Sequence, residues 1–317
     1  MGPAPPGRPP RPFRPFSATN ASLHPPRERP MLAPRFDDAS FARGRPRGTA
    51  RHPRAEPTAG PHRGAPALLG LGLALVTLGA SGCATATTHT SIGELEVVTL
   101  REEHANVHLV RGPRGSFLVD AGLPGSAARI EARLLELEVD PAALRAVVLT
   151  HGHADHAGGA PHLRERHGVT LVAGRGDEGM LAEGRNGELC PTGRRARRRL
   201  EGDRAARFPP FAADVWIAEE TPLEPLVGVP GRVRVLPGHT PGSLVLLVGR
   251  AAFVGDLFRG AIVGRSAETH FYMCDLEDNR ADVRALLDAA PEVEVFFTGH
   301  FGPVTREAVE AWLDEAS

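Results

Sequence analysis

The 317-residue chain contains no lysine; apart from histidine, every cationic side chain is an arginine. That pattern points to GC-rich coding rather than to a chemical demand. Cysteine is scarce as well. Cys83, Cys190 and Cys274 form no paired framework and no C-x-x-C motif, which argues against a disulfide-built scaffold and a dithiol redox site. A Cys190–Cys274 bridge is one option that the sequence does not decide. No G-x-S-x-G stretch is present, so no serine nucleophile elbow is expected. No fixed-period repeat is present, which excludes a solenoid. Acidic residues are sparse at the front of the chain: residues 1–82 hold 4 of the 38 acidic residues against 12 of the 37 basic ones, about +8. The near-zero net charge of the whole chain therefore conceals two opposite parts.

Residues 1–82 also hold 16 of the 30 prolines. A stretch such as "PAPPGRPPRPFRPF" buries too little apolar surface to offset chain entropy, so 1–64 is expected to be disordered. Its arginines are diluted by proline and interleaved with few aromatics, so no nucleic-acid partner is expected. Residues 65–83 are apolar or small, uncharged, and preceded by Arg51, Arg54 and Arg63, the layout of an export signal. The run is short for a spanning helix, which needs about 20 apolar residues. "ASGC" resembles a bacterial lipobox, with Ala80 where leucine is usual, and marks Cys83 for lipidation. The expected product is an exported lipoprotein anchored through Cys83, or a periplasmic protein, with a cytoplasmic protein as the alternative. A signal normally opens a chain, so two readings compete: the favoured one puts the true start near residue 50 and leaves 1–50 untranslated, and the other keeps the basic tail as a binder of something acidic. Residues 84–94 read as a linker and 95–317 as one domain.

In that domain "LEVVTL", "VHLV" and "SFLVDAG" read as strands, and "SAARIEARLLEL" as a helix with apolar residues at helical spacing. Asp140-Pro141 caps and starts a further short helix. "LRAVVLT" is a buried strand, "HAGGAPHLRERHG" a helix and "VTLVAG" a strand. "GRVRVLPG", "SLVLLVG", "AAFVGD" and "VEVFFTG" are strands, and "TREAVEAWLDEA" closes the chain as an amphipathic helix. Alternating strands and helices with two strand-only clusters imply an α/β (α+β) fold of two mixed sheets with helices outside.

The chemistry concentrates in "LTHGHADHAGG". His151 and His153 are two apart, so in extended chain both rings point the same way and meet one ion. Asp155 and His156 follow in a turn and face a second. Imidazole with carboxylate suits zinc, and also iron or manganese. Three further sites repeat one arrangement, an apolar strand, a glycine, then one ligand: His239 in "VLPGHTPGS", Asp256 in "FVGDLF" and His300 in "FFTGHFG". Burying such groups without a partner is costly, so seven ligands for two ions is the coherent reading.

The H-x-H-x-D-H run at 151–156, with His239, Asp256 and His300 following in order, resembles the metallo-β-lactamase superfamily over about residues 95–317. The resemblance implies a four-layer αββα sandwich with the metals at one edge. It assigns His151, His153 and His239 to one ion and Asp155, His156 and His300 to the other, with Asp256 bridging. Asp256 stands where some zinc β-lactamases, the long-known ones, put a cysteine, as in the glyoxalase II-like and lactonase-like branches, so Cys274 is not expected to be a ligand. With only 17 residues after His300, the separate helical C-terminal domain of glyoxalase II is not expected, which argues against glutathione thioesters. Asp120 in "FLVDAG" also matches a family position, with an expected role in orienting a metal-bound histidine.

The expected function is a dinuclear metallo-hydrolase, with two Zn2+ per chain (Fe or Mn as alternatives), attacking an ester, thioester, lactone or lactam carbonyl with a metal-bound hydroxide. Asp155 orients that hydroxide. The alternatives are a mononuclear-iron persulfide-dioxygenase-like oxidoreductase and a zinc β-lactamase. The partner is a small molecule, expected to be polar or anionic because the loop "GRNGELCPTGRRARRRLEGD" offers little apolar surface. Arg259, His270 and Tyr272 are candidate substrate contacts. The arginines from Arg194 to Arg199 read as a solvated helix face, and His104, His108, His162 and His167 as surface residues.

Overall fold

The computed structural model describes residues 86–315. The expected disordered segment, the export signal and Cys83 lie outside the described residues. The first sheet opens with an antiparallel meander, β1 (Ala86–Ile92), β2 (Leu95–Glu102), β3 (Ala105–Gly112) and β4 (Gly115–Val119). There follow α1 (Ala127–Glu136), β5 (Val147–Val148), α2 (Ala154–Ala157), α3 (Ala160–His167) and β6 (Leu171–Gly174). Then come α4 (Glu178–Glu183), α5 (Arg194–Ala205) and β7 (Val215–Ile217). β4 to β7 run parallel, giving a seven-stranded sheet in sequence order.

The second sheet uses β8 (Thr221–Pro222), then α6 (Glu224–Val227), β9 (Arg232–Val235), β10 (Leu244–Val248) and β11 (Ala251–Gly255). A hairpin, β12 (Arg259–Gly260) with β13 (Ala267–Glu268), precedes α7 (Leu276–Ala289), β14 (Val295–Thr298), β15 (Val304–Thr305) and α8 (Arg306–Glu315). The sheet order is β15-β14-β11-β10-β9-β8, with β14 parallel to β11 and the other pairs antiparallel.

Side-chain alternation along the strands builds four layers. Val97, Val110, Phe117 and Val148 of the first sheet face Val233, Leu246, Phe253 and Phe297 of the second. The intervening Val98, Leu109 and Leu118 turn outward onto Ile130, Leu134 and Leu163 of α1 and α3. Val245, Leu247 and Phe296 turn outward onto Val283, Leu286, Val309 and Trp312 of α7 and α8. The architecture is the expected αββα sandwich. Phe117, Phe253 and Phe297 are buried to 0–1 % exposure, each contributing about 1.5–3 kcal/mol by transfer from water.

Three local expectations change. Residues 86–92, read as part of a linker, pair with β2 along their whole length, from Ala86 opposite Arg101 to Ile92 opposite Leu95. β-Branched Thr87, Thr88, Thr90 and Ile92 suit an edge strand, and Gly93 at φ +59° closes the turn. The helix expected over "HAGGAPHLRERHG" is broken into α2 and α3. At Gly159 an added Cβ would collide with the Ala121 carbonyl, so the chain bends where two backbones touch. After Asp140 there is only a single 3-10 turn, Pro141–Ala143, capped by Asp140 accepting from the Ala142 N–H at 2.9 Å. Among the described residues no helix is long and apolar enough to cross a membrane.

Candidate metal centre

The short buried strand β5 delivers Thr150 to His153 at the sheet edge. The chain is extended up to His153 (φ −73°, ψ 152°) and turns into α2 at Ala154, so His151 and His153 share a side while Asp155 and His156 sit in the first helical turn. Asp177 fastens this loop to the one that carries His239. Its carboxylate accepts from the Gly152 and Gly242 N–H groups and from Thr240 Oγ1, each at 2.8 Å. Burial raises the pKa of Asp177, against the pull of these hydrogen bonds. Asn186 Oδ1 accepts from the Ala154 N–H at 2.7 Å and anchors the start of α2. Asp256 follows Gly255 at the end of β11, and His300 follows Gly299 just beyond β14. Gly299 is required: an added Cβ would stand 2.6 Å from His156 Cε1 and closer still to Asp256 Oδ1.

All seven expected ligands converge. His151, His153 and His239 offer one ligand atom each within 4.8 Å of one another, and so do Asp155, His156 and His300. Asp256 Oδ2 lies 3.7 Å from His151 Nε2, 3.8 Å from His239 Nε2, 3.4 Å from His156 Nε2 and 3.2 Å from His300 Nε2. His153 Nδ1 faces His239 Nε2 at 3.2 Å. Ligand atoms bound about 2.0–2.2 Å from one ion stand roughly 2.9–3.6 Å apart, so these spacings fit donors around ions. The Nε2 atoms of His151 and His156 and Oδ1 of Asp256 are buried with no hydrogen-bond partner. Such orphans cost about 1–3 kcal/mol each, a penalty that coordination removes. The donor set therefore fits a pair of divalent ions.

The opposite ring nitrogens are pinned. His156 Nδ1 donates to Asp120 Oδ2 at 2.9 Å, and His300 Nδ1 donates to the His104 carbonyl at 2.6 Å. His239 Nδ1 donates to the Tyr272 carbonyl at 3.1 Å. Asp120 also accepts from the Thr150 N–H at 2.7 Å and from Thr150 Oγ1, which lies 3.1 Å from His151 Nδ1. It does this from a left-handed backbone conformation, φ +66°, unusual for a non-glycine residue. Burial holds the pKa of His151 and His239 well below the ordinary imidazole value and brings His153 to about 4. At His156 burial opposes charge, but Asp256, Asp155 and Asp120 outweigh it and raise the pKa well above 6.5. The surrounding histidines, His270 first, hold Asp256 well below the carboxylate range in spite of its burial.

A cavity of about 250 Å³ opens onto Asp155, Asp256 and His300. Its walls include Leu123, Leu189, Ala196, Ile262, Phe271 and Phe301, with Arg195 and Arg199 on one side. The wall is thus more apolar than the arginine-rich loop implied, because Leu123, Ile262, Phe271 and Phe301 come from other segments. The arginine run forms α5 as expected, but its Arg195, Ala196 and Arg199 face the cavity rather than solvent alone.

The candidate substrate contacts separate. Tyr272 lines the cavity, but its hydroxyl donates to Asp203 Oδ2 at 2.5 Å and lies 3.1 Å from the Ala196 carbonyl. Arg259 is not part of the wall; it is buried, paired with Glu268 and stacked 4.4 Å over Phe271. His270 is buried at 3 % exposure, its Nε2 3.0 Å from Asp256 Oδ2. Two histidines read as surface residues are not. His108 is buried between Phe253 and Phe297, because β3 lies inside the first sheet. His104 lines the cavity, stacks on His300 and stands 3.4 Å from Asp155 Oδ2. His162 and His167 are half-buried around Glu131. Asp177 escaped the sequence reading although "LVAGRGD" repeats the strand–glycine–acid arrangement. Cys190 and Cys274 are joined in a disulfide with Cα atoms 4.8 Å apart, which removes Cys274 from the pool of ligands.

Comparison with known proteins agrees with this geometry. A family model described as the metallo-beta-lactamase superfamily matches residues 100–300. Hydroxyacylglutathione hydrolase GloC of Haemophilus influenzae is 28 % identical over 215 residues, 65 % of this chain and 90 % of that protein. A hydroxyacylglutathione hydrolase of Dechloromonas aromatica is 32 % identical over 160 residues, 50 % of this chain and 46 % of the relative. Among solved structures, the metallo-β-lactamase MIM-1 of Novosphingobium pentaromativorans superposes with a TM-score of 0.51 at 20 % identity, covering 72 % of this chain and 86 % of the other. A metallo-β-lactamase family protein of Thermus thermophilus gives 0.51 at 22 % identity, covering 71 % and 78 %.

Proposed function

The chain belongs to the metallo-β-lactamase superfamily and is a metallo-hydrolase, and from that premise we propose that it hydrolyses a small ester or thioester at a centre holding two zinc ions. One observation carries the reading: both donor triads are complete, and Asp256 Oδ2 stands within 3.8 Å of imidazole nitrogens from each. His151, His153 and His239 would hold one ion, Asp155, His156 and His300 the other, with Asp256 between them. When bound, the ions supply Lewis acidity and bring the pKa of water near neutrality. A complete second triad disfavours the mononuclear oxidoreductase, and aspartate at position 256 disfavours a zinc β-lactamase.

Asp155 faces the cavity, and burial alone would favour its neutral form. His156, His104 and His300 override that and hold its pKa well below the carboxylate range. An ionised Asp155 is therefore placed to accept a hydrogen bond from the attacking water and orient it. His104 steadies that carboxylate from the other side. The apolar wall suits a short acyl group, and Arg195 with Arg199 suits an anionic group on the substrate. The relatives named hydroxyacylglutathione hydrolase put thioesters first among candidates.

Export completes the proposal. The apolar segment before Cys83 supports it, and so does the Cys190–Cys274 disulfide, since such bonds persist in oxidising compartments. Anchoring through a lipid on Cys83 is the proposed link to a membrane. The test is a panel of thioesters, esters, lactones and a cephalosporin, run with and without chelator alongside metal analysis. Two zinc ions per chain and chelator-sensitive thioester or ester turnover are expected. Turnover confined to the cephalosporin, or one iron with oxygen uptake, overturns the reading.

A further inference from the structure

The two triads and bridging Asp256 leave one buried histidine at the centre itself unused. His270 lies between the bridging carboxylate and the cavity, and its ring has no role in the seven-ligand set. Its Nε2 is 3.0 Å from Asp256 Oδ2, yet makes no hydrogen bond. A close approach without a hydrogen bond, between two groups of high donor capacity, is the arrangement of two ligands sharing an ion. His239, Asp256 and His270 each offer an atom within 4.8 Å of the others. From these observations we infer that His270 is an eighth metal ligand, binding through Nε2 beside Asp256 and His239.

The chain around His270 is built to hold the ring there. The Tyr272 carbonyl accepts from His239 Nδ1 at 3.1 Å and lies 3.2 Å from His270 Nδ1, while the Tyr272 N–H lies 3.3 Å from that same nitrogen, so the Tyr272 backbone fixes the His270 ring from its Nδ1 side. In the tautomer whose Nδ1 donates to the Tyr272 carbonyl, each ring turns an Nε2 lone pair toward Asp256. The ring also stacks on His300, centroids 5.2 Å apart. Thr192 grips the backbone on one side: its Oγ1 donates to the His270 carbonyl at 2.7 Å and its N–H to the Phe271 carbonyl at 2.9 Å. The Met273 N–H donates to the Cys190 carbonyl, and the Cys190–Cys274 disulfide closes the clamp four residues beyond His270. Trp312 Nε1 donates to Thr269 Oγ1 from the opposite flank. A histidine meant only to brush a substrate needs no such clamp; a ligand held to within about 0.5 Å does.

An eighth ligand makes at least one ion more than four-coordinate, on the cavity side where substrate enters. The inference rests on the two-ion reading, and its test separates the two. Wild type, His270→Ala and His270→Gln are stripped of metal and titrated with Zn2+ and with Co2+ alone against a chromophoric chelator, with thermal unfolding as the control for folding. Wild type should take up two ions. In His270→Ala one ion should bind at least tenfold more weakly, and the visible ligand-field bands of the Co2+ protein should shift. Glutamine, which donates a hydrogen bond but is a poor ligand, should not restore either property. If glutamine restores wild-type affinity and spectrum, His270 is a hydrogen-bond donor to Asp256 and the inference is wrong. If both variants bind two ions as the wild type does, His270 is not a ligand although the two-ion reading stands. A wild-type protein that takes up no metal overturns both.

Discussion

Replacing Asp120 by asparagine tests whether the metal centre depends on a residue that touches no ion. Asp120 is 1 % exposed and serves four donors: the Thr150 N–H and hydroxyl, His156 Nδ1–H, and through Thr150 Oγ1 the ring of His151. Asparagine keeps the shape and one acceptor. Its oxygen retains the Thr150 N–H, so its amide nitrogen is turned toward His156 Nδ1, and two donors meet. His156 must then tilt or move its proton to Nε2, which abolishes the lone pair offered to the second ion. Loss of such a supporting partner weakens metal binding about 10- to 100-fold, equivalent to roughly 1.4–2.7 kcal/mol. Alanine is the poorer probe, because it strands the Thr150 and His156 donors in the core at about 1–3 kcal/mol each and disturbs the fold itself. The assay is stepwise chelator competition with unfolding monitored in parallel. The ion of the Asp155–His156–His300 set should weaken more than its neighbour. An asparagine variant that binds both ions with wild-type affinity refutes the argument that Asp120 fixes the His156 tautomer.

Gly299→Ala should cost about 100-fold in turnover, the usual effect of displacing catalytic groups by an ångström, since its methyl would meet His156 and Asp256; near-normal turnover would show that the contact relaxes freely. Opening the 84-residue separation between Cys190 and Cys274 by Cys274→Ser should lower stability by about 2–4 kcal/mol, read from denaturant midpoints, and an unchanged midpoint contradicts it. Burial holds His108 at a pKa of about 4 against the ordinary 6.5. Between those values the unfolded chain binds a proton that the folded chain refuses, so stability falls by about 3 kcal/mol as pH drops from 6.5 to 4. His108→Gln should lack that part of the slope; identical pH profiles for the two proteins remove His108 from the account.

The convergence of these side chains was legible because His151, His239, Asp256 and His300 each interrupt a strongly apolar strand at its end, a pattern that solvated loops do not produce. The sandwich was legible for the same reason: strands such as "LVLLV" are apolar on both faces and need cover on both. What the sequence concealed depends on distance in space. His108 alternates in "VHLVR" like any solvent-facing polar residue, and only the position of β3 inside the sheet buries it. His104 lies in the turn between β2 and β3, far along the chain from His300, and the two stack only after both sheets have closed. The edge strand β1 was hidden by its composition of threonine and small residues, which reads as a tether until β2 offers it a partner.

The cavity wall shows the same division and has a consequence for substrate choice. Read alone, the segment running into and through α5 is polar and arginine-rich, and it favours a polar substrate. In space it supplies one side of a cavity whose other sides come from Leu123, Ile262, Phe271 and Phe301. The arginines therefore face an apolar wall across a small volume rather than a solvated channel. An anionic substrate without an apolar part would leave that wall in contact with water, and a purely apolar one would offer no anion to Arg195 or to Arg199, which already pairs with Asp203. A substrate with both parts satisfies the two walls at once, with its acyl carbon at the one place where Asp155, Asp256 and His300 reach the cavity.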